Sequence, residues 1–172
     1  MTENIQILID THLLSPIDDI ENFIMTTNWC YERISNRELV INIKGQYCEY
    51  HATIAWIEQS DILHLAFSFS VGLSRDTLSV SREHSMLKLL SLMNENLQIG
   101  HFDLWREENA VVWRYGHFLS EQNLSTDNLS RLFRTAIEIC ERHYPAFQFV
   151  LWAGHSPVDA LHFILLETVG EA

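Results

Sequence analysis

From Trp29 to Val71 apolar residues recur at every second position, broken only by short polar runs at S-N-R-E, G-Q and Q-S-D. Period two sends successive side chains to opposite faces of an extended chain, so this stretch reads as an antiparallel meander with one apolar face. If Gly45-Gln46 is a two-residue turn, Lys44 faces Tyr47, and Ile43/Cys48, Ile41/Tyr50 and Leu39/Ala52 pair on one face. If Gln59-Ser60 is the next turn, Trp56/Leu63, Ile54/Leu65, Ala52/Phe67 and Tyr50/Phe69 share that face. Two independently placed turns therefore agree. The reverse face carries Glu49, His51, Thr53, His64 and Ser68, which suits solvent or a polar contact.

Helical signals flank the meander. Ser15-Pro16 followed by two acids predicts a helix from about Pro16 to Thr27, with Ile17, Ile20, Phe23 and Ile24 as its buried stripe. After a loop at Leu73 to Asp76, Ser79 or Ser81 opens a helix to about Gln98, with Leu87, Leu90, Met93 and Leu97 inward and Gly100 as its stop. H-F-D-L-W and A-V-V-W-R-Y-G-H-F-L then form a hairpin through R-E-E-N. Its parity puts Phe102, Leu104, Val111, Trp113 and Tyr115 on one face and leaves Trp105 and Val112 on the other. Ser125 or Thr126 starts a helix with the stripe Leu129, Leu132, Phe133, Ala136, Ile137 and Cys140, which Pro145 ends or restarts. Helix is predicted to continue beyond the proline. Ser156-Pro157 caps a last helix, Val158 to Thr168. The fold class is α+β: helix, meander, helix, hairpin, helices, with the helices packed on one face of an antiparallel sheet.

A chain of 172 residues holds one well-buried domain. Residues 15–172 are assigned to it, and 1–14 are a lead segment. The formal charge of −12 argues against nucleic acid and anionic membrane as partners, since both require clustered Lys and Arg. No apolar run is long enough to cross a bilayer, and M-T-E-N-I-Q lacks the basic start of a secretory leader, so a cytoplasmic location is expected. Cys30, Cys48 and Cys140 show no CxxC spacing, in keeping with reduced thiols.

The stretch from Cys140 to His155 gathers a thiol, two imidazoles and a carboxylate. Cys140 and His143, three apart on a helix, make half a metal site, and Glu141 and His155 have no spacing that completes it. The simpler reading gives Cys140 to an apolar stripe and Arg142 and His143 to a helix's last turn. Cys48 and His51, three apart on a strand, fall on opposite faces. The acid pairs Asp18-Asp19 and Glu107-Glu108 suit a helix start and a turn. No GxGxxG, phosphate-binding loop, GxSxG or HExxH is present. Neither cofactor, metal nor catalytic residue is expected, and the chain does not read as an enzyme.

The strings N-W-C-Y-E-R (28–33), G-Q-Y-C-E-Y-H (45–51), G-H-F-D-L-W (100–105), E-R-H-Y-P-A-F-Q-F-V-L-W (141–152) and the final L-L-E-T-V-G-E-A resemble the bacterial YbjN-domain family. The resemblance spans about Ser15 to Ala172. It implies a fold similar to type III secretion chaperones, often dimeric, and a sensory or regulatory role, with no catalytic residues to transfer. One departure is the three or four strands before the second helix, where the chaperone-like pattern has three. The expected function is a non-enzymatic interaction module, a homodimer that holds a protein or peptide partner. Its expected interface is the hairpin's outer face, Trp105 and Val112 flanked by Asp103 and Arg114. The competing expectation is a small-ligand binder or hydrolase using Cys140 to His155, or His51 and His64.

Overall fold

The computed structural model describes residues 15–72, 79–119 and 124–167. The lead segment 1–14, the predicted loop at 73–76 and the end of the last helix at 168 lie outside them. The first helix, α1 (Pro16–Ile24), opens on a capping box: the Ser15 hydroxyl accepts from the Ile17 amide and the Asp18 carboxylate accepts from the Ser15 amide. All four predicted stripe residues are buried. It ends at Ile24, short of the expected Thr27, because Thr26 and Thr27 turn their hydroxyls onto the Phe23 and Ile24 carbonyls at 2.7 Å and close the last turn.

Four strands follow, the larger of the two strand numbers expected: β1 (Cys30–Ser35), β2 (Glu38–Lys44), β3 (Glu49–Ile57) and β4 (Ile62–Ser70). The β3–β4 register is the one predicted, with Trp56 opposite Leu63, Ile54 opposite Leu65 and Ala52 opposite Phe67. The β2–β3 register differs by two residues. Ile43 faces Tyr50, Ile41 faces Ala52 and Leu39 faces Ile54, so the connection is the four-residue loop Gly45 to Cys48. A shift of two keeps every side chain on its face, and the predicted core face survives.

Helix α2 (Val80–Asn96) is capped by Ser79. Its buried side chains are Met86, Leu89, Leu90 and Met93, and Leu87, expected inside, is exposed. The helix packs on α3, α4 and the hairpin strand β5 together, and this widens the buried arc toward Met86 and Leu89. The Asn94 amide fixes its rotation by donating to the Phe102 carbonyl and accepting from the Phe102 amide, at 2.9 and 2.7 Å.

The hairpin is β5 (His101–Trp105) and β6 (Ala110–Phe118), with Phe102 opposite Trp113 and Leu104 opposite Val111. β6 pairs with β4, giving a fully antiparallel sheet in the order β1-β2-β3-β4-β6-β5. Helix α3 (Thr126–Leu151) runs unbroken through Pro145, so the proline neither ends nor restarts it. The Glu141 carbonyl loses its usual helical donor there, at a cost of about 3 kcal/mol. Dense burial on both sides offsets this, with Phe133, Ala136 and Cys140 before the proline and Ala146, Phe147 and Val150 after it. Helix α4 (Pro157–Glu167) starts at Ser156, whose hydroxyl accepts from the Asp159 amide, and packs on α3 and α2. Phe67 meets Trp113 and Phe133, while Phe69 meets Tyr50, Phe102 and Phe147, so sheet and α3 share one aromatic core.

Candidate functional site

The sheet's core face lies under the helices, and among the described residues no helix lies over the other. Its outward side chains run in rows set by the register. One row is Cys30, Asn42, His51, Ser68, Val112 and Asp103, and the next is Glu32, Val40, Thr53, Ala66, Arg114 and His101. Small residues, Thr53, Ala66 and Ser68, form the middle, with larger polar groups to either side, Glu32, Asn42 and His51 toward β1 and Arg114, Asp103 and His101 toward β5. The surface is consequently shallow, as a face that meets another flat surface would be.

All four predicted interface residues stand on this face, as parity requires, but they are not equally available. Trp105, at the edge, is 40% exposed, whereas Val112 has no accessible surface. Val112 lies between Ser68 and Asp103 in the ladder, so the patch offers the indole and not the expected apolar pair. Asp103 and Arg114 are 3.9 Å apart, a loose ion pair that is part exposed on both sides. Beside Trp105 lies a hollow of about 420 Å³, walled by Trp105 and His51, floored by Ser68, Ser70 and Ala110, and flanked by Glu49 and Glu108. Neither of those carboxylates is in an ion pair among the described residues. The His51 ring nitrogen Nδ1 is 2.6 Å from the Asn42 side-chain oxygen, which orients the imidazole across β2 and β3. His64 sits on the same face, and burial, with Arg114 and His101 nearby, lowers its pKa.

The Cys140 to His155 stretch is dispersed. Cys140 is fully buried in the core stripe, and burial pushes its thiol far from ionisation. His143 is mid-helix and buried, not in a last turn. Its Nδ1 donates to the Ile139 carbonyl at 2.8 Å, and its ring packs on Phe102. His155 lies past the helix end, its ring against Phe149 and Phe163. Among the described residues no three His, Cys, Asp or Glu side chains are grouped to hold a metal.

Glu141, set aside on sequence grounds, has a role that spacing cannot reveal. Its Oε1 accepts the Gln46 amide at 2.7 Å, so α3 grips the β2–β3 loop from 95 positions away. Gly45 makes room for this: a Cβ there would collide with Glu141 Oε1 and the Tyr50 ring. Tyr47 stacks on Tyr144 with their planes 4° apart, completing the latch. Under it the Cys48 thiol is pushed up to about 11, chiefly by burial. The capture of Gln46 also accounts for the four-residue loop found where two residues were expected.

The family model for YbjN, described as "Putative bacterial sensory transduction regulator", matches residues 16–149, well over half of the chain. No curated protein matches it.

Proposed function

The chain belongs to the YbjN family, and from that membership we propose that it is a cytoplasmic, chaperone-like regulatory module that performs no chemistry and acts by binding protein. It works as a homodimer joined through the outer face of the hairpin, around Trp105, Asp103 and Arg114, with Val112 beneath. The observation that carries this reading is an outer sheet face that no helix among the described residues covers and that bears an exposed tryptophan, an indole whose water-exposed apolar area a second molecule would bury. The last helix supports it, because α4 packs on α3 and α2, on the sheet's other side. A second surface suits the protein or peptide partner. Where α3 meets α4, Phe163 and Leu166 are 42% and 68% exposed beside the His155 ring.

A reading as hydrolase or small-ligand binder finds less support, since Cys140 is sealed in the core and His143 and His155 face different surroundings. Sedimentation velocity tests the homodimer. Trp105→Ser should shift a dimeric wild type toward monomer while circular dichroism stays that of a folded chain. A wild type that is monomeric at high concentration, or a variant that stays fully dimeric, overturns it.

A further inference from the structure

We propose that the outer sheet face is self-complementary: the hollow beside Trp105 on one copy receives the Arg114 guanidinium of a second copy, with the two-fold axis passing above the covered Val112 of both chains. This rests on the homodimer reading above and specifies its register.

The hollow is built to take a cation. Trp105 supplies an aromatic wall, and Glu49 and Glu108 supply two carboxylates that no ion pair holds among the described residues. A guanidinium is the side chain that stacks on an indole while donating to carboxylates. Arg114 stands on the same face and is only loosely held, at 3.9 Å from Asp103. With five N–H donors in a planar fork, it keeps most of them for a further partner.

Position then selects the second copy as the source of the cation. Ala110, at the floor of the hollow, lies two residues before Val112, and Arg114 lies two residues after it. In strands, residues two apart point to the same side. A two-fold axis crossing β6 above Val112 therefore lays Arg114 of each copy over Ala110 of the other. Both hollows are filled by one operation, as an isologous contact requires. Sheets packed face to face lie about 10 Å apart, a gap that an arginine on one side and an indole on the other can fill. The small residues Ala66 and Ser68 flank the axis. Two chains that each carry a net charge of −12 repel at long range, so a contact that pairs opposite charges locally also offsets the repulsion.

A charge swap tests the register. Arg114→Glu alone and the double variant Glu49→Lys/Glu108→Lys alone should each raise the dimer dissociation constant by roughly tenfold or more while circular dichroism remains native. Mixed in equal amounts, the two should recover a dimer, because both hollows of the heterodimer then face opposite charge. Arg114→Lys should retain more dimer than Arg114→Gln, which guards against misfolding of the reversed variants. Variants that dimerise like wild type, or a folded mixture that stays monomeric, overturn the proposal. A wild type that is itself monomeric overturns both this and the homodimer. A dimer undone by Trp105→Ser and untouched by Arg114→Glu overturns this register alone.

Discussion

His143 is buried on α3, with its Nδ1 proton given to a backbone carbonyl and its ring on Phe102. Burial, helped by the neighbouring Arg142 charge, lowers its pKa despite the opposing carbonyl bond, so the folded chain holds it neutral. The unfolded chain binds the proton near the ordinary histidine value of about 6.5. The stabilisation is therefore complete above that value and is lost as pH falls through the depressed folded value. His64 shifts in the same direction from a less buried site and adds to the trend. Melting temperature should accordingly drop between pH 7.5 and 5.5, and His143→Leu should flatten that drop in thermal scans at matched salt. Equal slopes in the two proteins would mean that the imidazole is not held neutral. At this scale the sequence was readable where a side chain joins a periodic stripe, as Cys140 does. It was opaque for Glu141, whose partner Gln46 is near only because the fold makes it so.

Strands were legible as elements because their faces are decided by parity, and parity tolerates an error of two residues, as the β2–β3 register demonstrates. The helices were less so. Period 3.6 does not say how many neighbours a helix has, so the three-sided packing of α2 placed Leu87 outside. Nor does it say how much burial stands behind a proline, and α3 therefore continues through Pro145. The parity argument has a sharp test in β3 and β4. Phe67 is fully buried between Trp113 and Phe133, so Phe67→Asp puts an unpaired carboxylate in the aromatic core and should cost several kcal/mol, enough to unfold the chain. His51, on the exposed face with Asn42, should tolerate alanine within about 0.5 kcal/mol. Urea unfolding of the two variants checks the contrast, and similar losses would mean that the faces are wrongly assigned.

For the whole molecule, the proposed association through the outer face would make stability a function of concentration. Any partner that binds only the folded chain raises the melting temperature by mass action. Thermal scans across a hundredfold range of protein concentration should move the midpoint upward for wild type and leave Trp105→Ser unmoved; a constant wild-type midpoint would contradict the dimer. At this scale the sequence suggested the layers but not the sheet order. A hairpin that follows a helix can join either edge of a meander, and its choice of β4 is made by the core it completes. That order governs how the chain reaches its native state. The four meander strands pair with their sequence neighbours and close short loops, whereas Ser70 meets Ala110 only after the chain has passed through α2 and β5. Until β6 arrives, I-L-H-L-A-F-S-F-S is an open edge with neither a proline nor an acidic or basic residue but histidine to discourage pairing with another chain. Newly made or refolding protein is thus most vulnerable to clumping along a strand that ends up at the centre of the finished sheet.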